Sequence, residues 1–570
     1  MSSTYAHYQG PSSVPSDGII ASRANAHHND DIHDMNSNDD ATLRIPGRPT
    51  KLTIGTYSSR DELPSNNFKL PTESTLLLND PAIPPIEDSD DCDPASENES
   101  KVVMFWEELR VLTKFALPVF GTQVLEYSLV VASVITIGHI STKALAAISL
   151  GSMTASVSGF SIIQGFGSAL DTMLPSAWTS SQPQLVGLWA QRMTVVMFMT
   201  LIPMLFIWLN AESLLILLKQ DPEVAHLAAV YLRWVSLGLP AYAFNCISRR
   251  YFQSQGLFAV PTRIIFIVAP INALVNYLLV WGPEPIRLGF IGAPIATAIS
   301  FNLISLLSIL YGIFYAPRTA WHPLSRRMFT SLGILINLGL SGVGQTASEW
   351  WAWELVALAA ALLGPTALAT QSVLLTSCST TFQAPFALSL AVAVRIGNLL
   401  GESRARRAEV AAKTSILMVF IIESIPSTVF LVFRKKWAYI FNDDPEVVKL
   451  VASLMPMCAL FQVFDGTAGV TGGILRARGK QFIGALLNLT GYYVLGIPLG
   501  IYLAFGKKMG LFGLWLGLTF SLVYCAVFTT WIALKTDWNF EVQKVAQRIK
   551  DEDKLRATEE RERAERDGYA

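Results

Sequence analysis

Between residues 115 and 534 the chain runs through twelve apolar stretches, parted by short polar breaks and interrupted by few charges. A helix rises about 1.5 Å per residue, so roughly 20 residues cross the ~30 Å hydrocarbon core of a bilayer. The stretches lie near 115–138, 144–172, 190–209, 226–248, 260–281, 289–315, 331–357, 366–394, 411–433, 447–472, 482–505 and 510–534. In lipid a backbone amide has no water to bond, so runs of this length are expected as helices that satisfy their own hydrogen bonds. With 51% of residues hydrophobic and 15% charged, a chain this long cannot cover itself with a water-compatible surface, and membrane lipid is its expected solvent. A net charge of -1 gives no concentrated basic face, so nucleic acid is not expected as a partner.

Outside the apolar region the composition changes. Residues 1–110 are expected as a disordered cytoplasmic tail, because their Ser, Asp, Asn and Pro residues bury too little surface to offset chain entropy. Within it His28 to His33 reads as solvated tail, and Glu73-Ser-Thr-Leu-Leu-Leu78 resembles an acidic dileucine sorting signal, which would suit a vacuolar membrane; the plasma membrane is the other expected location. No apolar run follows a basic start in the first thirty residues, so insertion is expected to rely on the first span. The cysteines, Cys92, Cys246, Cys378, Cys458 and Cys525, are too scattered for a metal or redox pair and read as free thiols. Residues 536–570 form a charged stretch that reads as a solvated helical cytoplasmic tail.

The chain also repeats itself. Asp221-Pro-Glu-Val224 returns as Asp444-Pro-Glu-Val447, and the same offset aligns Gly121 with Gly344, Glu126 with Glu349, Ala144-Leu-Ala146 with Ala367-Leu-Ala369 and Gly256 with Gly479. Agreement of several short matches on one offset marks two homologous halves. Each half holds six spans, an even number, so both enter the membrane in the same sense and are related by a pseudo-two-fold axis along the membrane normal. The fold class expected is therefore all-α: a bundle over 111–316, a cytoplasmic linker over 317–330, and a second bundle over 331–535. Loops after even spans carry Arg249, Arg250, Arg318, Arg326, Arg327, Arg404, Arg406, Arg407, Arg476, Arg478 and Lys480, which places both termini in the cytoplasm.

Ionisable groups inside spans are costly and default to function. Here they are acidic: Glu126, Glu349, Glu354, Glu423 and Asp465, with no basic residue equally central. Glu349 and Glu354 are five residues apart, about 140° around the helix, so both cannot face one cleft squarely. Around them Trp350, Trp351 and Trp353 fan out over the helix surface, and an indole face attracts organic cations. Glu126, as the repeat mate of Glu349, is a candidate second titrating site.

These residues carry a resemblance. Glu349-Trp-Trp-Ala-Trp-Glu354, Ala393-Val-Arg-Ile-Gly-Asn-Leu-Leu-Gly401, Gly473 to Gln481, Gly491-Tyr-Tyr493, Gly138-His-Ile140 and Tyr251 to Gly256 together resemble the multidrug and toxic compound extrusion family in its eukaryotic, fungal type. The resemblance implies a monomeric twelve-helix exporter of organic-cation or drug-like solutes, driven by proton or, less favoured, sodium antiport, with no further cofactor. It implies Glu349 as coupling carboxylate, with Glu354 and Asp465 as supporting acids; Glu126 joins them as the repeat mate of Glu349, and Trp350, Trp351, Trp353, Tyr127, Gln371 and Tyr492 are the expected solute contacts. Three positions depart from the family pattern: Glu126, Pro175-Ser-Ala-Trp178 and Thr376. A flippase for a lipid-linked solute is the alternative, and would call for a basic cleft. An enzyme is not expected, since no phosphate loop or nucleophile elbow is present.

Overall fold

The computed structural model describes residues 100–138, 142–441 and 443–568; the His-rich patch, the dileucine segment and Cys92 lie outside them. Among the described residues ten helices are long and apolar enough to cross a membrane: α2 (Ala146–Trp178), α3 (Leu185–Leu209), α4 (Pro222–Ser254), α5 (Ala259–Trp281), α6 (Gly289–Phe314), α8 (Pro365–Gly401), α9 (Ala405–Phe433), α10 (Pro445–Ala477), α11 (Gln481–Gly506) and α12 (Leu511–Leu534). Two more, α1 (Lys101–Gly138) and α7 (Leu332–Leu362), complete the expected twelve. Gln345, Glu349 and Glu354 explain why α7 is less apolar than its neighbours. A thirteenth helix, α13 (Trp538–Gly568), follows the last span.

The spans face two solvents, protein and lipid. On α3, Leu201, Met204 and Trp208 are buried while Phe198, Ile202 and Phe206, one turn apart, are exposed; a helix apolar on every side belongs in a bilayer. The halves share local construction. Asp221 and Asp444 cap α4 and α10 in the same way, each accepting from the backbone amide two residues on, with a proline at the first turn. Gly256 and Gly479, which follow these helices, both take positive φ, +78° and +68°, a conformation that disfavours any residue with a Cβ.

The first half (α1 to α6) and second half (α7 to α12) join most closely at the end of the bundle that carries the first and last described residues, here termed the terminal end. Small residues allow the approach. A Cβ on Gly165 would strike the backbone of Val343, one on Gly342 would strike Ser168, and one on Gly397 would strike Pro175. Pro175, one of the departures from the family pattern, thus packs against the second half. Thr179 Oγ1 donates to Asn398 O at 2.7 Å and Gln481 Nε2 donates to Thr172 Oγ1 at 2.8 Å. Higher up, Trp351 Nε1 donates to Val157 O at 3.1 Å, within the π-helical turn Ser156–Phe160 of α2.

Two expectations are revised here. The first bundle begins at Lys101, ahead of residue 111, because Met104, Glu108 and Leu112 are buried against the second half. Glu108, fully buried, accepts from Arg395 at 2.8 and 2.6 Å and from Arg407 at 2.6 Å. The charged tail is likewise not a freely solvated helix, since Trp538, Glu541, Val545 and Glu552 are buried.

Glu108 lies ahead of the apolar run that begins at 115. Burial pushes its carboxyl up, but the Arg395 and Arg407 guanidinium groups outweigh burial and hold it below its ordinary 4.5. Such a group stabilises the fold fully above its ordinary value, and the contribution disappears as pH falls through the lowered one. Glu108→Gln is expected to lower stability at neutral pH by about 3 kcal/mol, the scale of a broken buried pair. In thermal-shift measurements the gap to wild type should narrow as pH drops below that ordinary value; a gap independent of pH would contradict this.

Candidate functional site: charges at and above the closed end

Asp171, on the last turns of α2, sits between two guanidinium groups. Arg250 of α4 donates Nε to Asp171 Oδ1 at 2.9 Å, and Arg476 of α10 places Nε 3.5 Å from Asp171 Oδ2. The first contact lies within the first half and the second joins the halves. All three side chains are largely buried, at 5% exposure for Asp171, 10% for Arg250 and 12% for Arg476. Arg250 is further held by Cys246, whose backbone O accepts from Nη1 at 3.1 Å, and Arg476 Nη2 donates to Ser389 Oγ at 2.6 Å. One carboxylate shared by two fixed cations survives burial only because each guanidinium also bonds elsewhere.

Above this triad the second half gathers acids. Glu349 lies within electrostatic reach of Arg476, and Asp465 within reach of both Glu349 and Glu423. Asp465 is 6% exposed and Glu423 is fully buried, its side chain pressed against Gly466. Gln462 is the polar side chain beside the Glu423 carboxyl. Three carboxyls are therefore neighbours, and one of them, Glu349, also faces Arg476. Whichever of these carboxyls is ionised in this low-dielectric setting is what a proton or a small cation would neutralise.

The first half holds a different arrangement. Glu126 on α1 is bonded to Arg249 of α4 through both of its carboxylate oxygens, and Arg249 Nη1 also reaches Gln123 Oε1 at 3.4 Å. Thr122, Asn245, Ser248 and Phe252 line the small cavity around this pair.

The comparisons with known proteins meet this geometry. One family model, MatE, matches the chain twice, over residues 118–278 and 343–502. The chain belongs to the MATE family of membrane transporters. The double match repeats the two halves already visible in the sequence and the caps. An uncharacterized transporter of Schizosaccharomyces pombe is 39% identical over 77% of this chain and 81% of its own. Multidrug and toxin extrusion protein 2 of Mus musculus is 32% identical over 80% of this chain and 78% of its own. The crystal structure of the eukaryotic MATE transporter AtDTX14 superposes with a TM-score of 0.74 at 29% identity, over 78% of this chain and 100% of that one. A Vibrio cholerae MATE transporter shares the fold at 16% identity, with a TM-score of 0.71. This MATE-family chain is thus an integral multi-pass membrane protein.

Within it, the residues singled out in the sequence separate into groups. Glu349 and Asp465 come together, and Glu423 joins them. Glu354, five residues from Glu349, is partly exposed on another side of α7. Trp353 packs edge-on against Phe461 and Trp515, with centroids 5.4 and 5.9 Å away, whereas Trp351 reaches across to the first half and Trp350 is 38% exposed. Gln371 is fully buried with Oε1 accepting from Trp515 Nε1 at 2.7 Å, and Tyr492 is 2% exposed; in this conformation neither lines open space. Tyr127 is partly buried beside Glu126 on α1.

The expectation that no basic residue lies among the acids is overturned. Arg249, Arg250 and Arg476, counted in the sequence as loop charges, belong to α4 and α10 and point into the protein. Helices longer than the hydrocarbon core carry their last turns past the apolar run, so a window of hydropathy ends before these side chains do. Asp171 was overlooked for the same reason, standing where the second apolar stretch closes. An acid one residue from the end of a span, facing arginines at the ends of two others, is the signal that was available.

Asp171→Asn would leave two buried guanidinium groups facing each other, and is expected to cost about 3–5 kcal/mol, the scale for removing one partner of a buried pair. Substituting Met for Arg476 in the same protein should recover part of that loss in thermal-shift assays. A single mutant as stable as wild type would contradict the triad's role.

Proposed function

We propose that this protein exports organic-cation or drug-like solutes by proton antiport, its two halves alternating between closure at the terminal end and closure at the opposite end. The observation that carries this reading is the group of Glu349, Asp465 and Glu423 in the second half, of which Glu349 lies within reach of Arg476, an arginine that also contacts the first half. A carboxyl that exchanges a proton changes the charge facing Arg476, and Arg476 is one of the ties that hold the halves together. Loading or unloading the acids thereby biases which end is closed. A proton asks for one carboxyl at a time, whereas sodium needs several oxygen ligands around one point, so protons are the favoured coupling ion.

The indoles of Trp350 and Trp351, 38% and 39% exposed, supply π faces for a cationic solute on the α7 surface that also carries the link to Val157. The multidrug and toxin extrusion proteins of animals among the relatives support solutes of that breadth. A flippase for a lipid-linked pyrophosphate would instead want exposed Arg and Lys in the cleft, and here the arginines near it are committed to Asp171 and Glu126. Both termini are placed in the cytoplasm, in the vacuolar or plasma membrane, with the terminal end as the cytoplasmic side. The closed terminal end then corresponds to a state open away from the cytoplasm.

Purified protein in sealed vesicles should move a fluorescent organic cation when a pH gradient is imposed, and Glu349→Gln should reduce that gradient-driven movement at least tenfold. Movement driven by sodium alone would replace the proton with sodium. Movement in neither gradient, or an undiminished Glu349→Gln, would overturn the coupling role.

A further inference from the structure

The last helix crosses the closed end and touches both halves. On the second half α13 is fixed by packing: Trp538, Val542, Val545 and Ile549 lie in one apolar cluster with Ala408, Ala412, Ile396 and Leu400 of α8 and α9. Glu541, nearly buried, adds ion pairs to Arg478 and Lys480 at 3.1 Å each. Burial pushes its carboxyl up, but Arg478, Lys544 and Lys480 outweigh this and hold it below the ordinary value, so the pairs are charged at neutral pH.

Toward the first half the same helix makes polar contacts through Glu552 and Arg548. Glu552, 5% exposed, accepts from both terminal nitrogens of Arg192 on α3, Nη1 at 2.9 Å and Nη2 at 3.2 Å. Arg548 Nη1 lies 3.3 Å from Met173 Sδ on α2, two residues from Asp171. Arg192 is itself anchored, donating to Arg327 O and Thr330 Oγ1 in the segment that links the halves, and lying over the Trp189 ring at 4.4 Å. A bidentate guanidinium–carboxylate pair is directional and strong when buried.

We propose that α13 is a strap across the cytoplasmic side: it rides on the second half and hooks the first half through Glu552 and Arg192, so that the terminal end opens only when this hook releases. The proposal rests on the alternating-access reading above. Release of the hook leaves the apolar packing on the second half intact, so α13 swings with that half rather than unfolding. A modification or partner that competes for Arg192 or Glu552 would then set the rate at which the terminal end opens.

The test follows opening directly and needs no transported solute, so a failure of the export reading leaves it informative. Ser176 is 4% exposed between the halves, and Ser176→Cys gives a thiol that a maleimide reaches when the terminal end parts; labelling of the native cysteines in the parent protein is subtracted. In detergent-purified full-length protein, Glu552→Gln should raise the labelling rate of this thiol about tenfold, while Glu552→Asp, which keeps the charge, should stay nearer the wild-type rate. A chain ending at Lys550 keeps Glu541 and the packing face but lacks the hook, and should behave like Glu552→Gln; it decides the matter where that variant does not fold. Wild-type labelling rates in both hook-deficient proteins would overturn the strap. A further readout uses an intact strap: once position 176 is labelled and the halves are wedged apart, amide hydrogen exchange over 545–552 should accelerate, and unchanged exchange would also overturn it.

Discussion

Asp171 is a single carboxylate held by two guanidinium groups that arrive from different halves of the molecule, and the closed end is organised around it. Arg250 fixes it from within the first half, Arg476 meets it from the second, and each arginine has further bonds that keep it in place. Glycine and serine at Gly165, Ser168, Gly342 and Gly397 let the backbones come close enough for this shared charge to be dry. Without that approach the three ions would be solvated, and the tie between halves would be worth little. The same approach brings α13 within reach of Arg192 and Met173, so the strap depends on the triad's geometry as well.

Arg476 gives the triad its functional meaning. It contacts Asp171 of the first half and lies within reach of Glu349, the neighbour of Asp465, and so in the proposed mechanism belongs to both the gate and the coupling site. A change in charge on the acids alters the field at one of the residues that keeps the halves together. The first half has its own acid, Glu126, but pairs it with Arg249 on the same half. Similar sequences at matched positions have thus been put to unequal use: Glu349 gathers with further acids, while Glu126 is paired with an arginine of its own half.

Much of this architecture is legible in the amino-acid sequence. Length and polarity of the apolar runs mark the spans, the Asp221 and Asp444 caps mark the repeat, and Glu349 stands out as an acid within an apolar helix. The family follows from motifs such as Glu349-Trp-Trp. What hydropathy does not reveal is where a helix continues past the lipid. Arg249, Arg250 and Arg476 looked like loop charges because they follow the apolar runs, yet each occupies the last turns of a long helix facing inward. Glu541 and Glu552 looked solvated because α13 is rich in charge, and only the positions of Arg478 and Arg192 in space show why these two are buried. Gln371 and Tyr492, expected as solute contacts, are buried in this conformation, since a residue type on a span does not say which side of the helix it occupies.

The central claim is that the halves rock about each other under control of the Glu349 group. It is tested most directly by distances at both ends of the bundle. Spin labels at Gln184 and Glu402 report the terminal end, and labels at Ser213 and Lys435 report the opposite end; all four residues are exposed. Double electron–electron resonance on the protein in lipid nanodiscs, compared between neutral and acidic buffer, is expected to show one pair lengthening as the other shortens, and Glu349→Gln should abolish that dependence on pH. Distances that shift together at the two ends, or that respond to pH equally well in Glu349→Gln, would contradict the account.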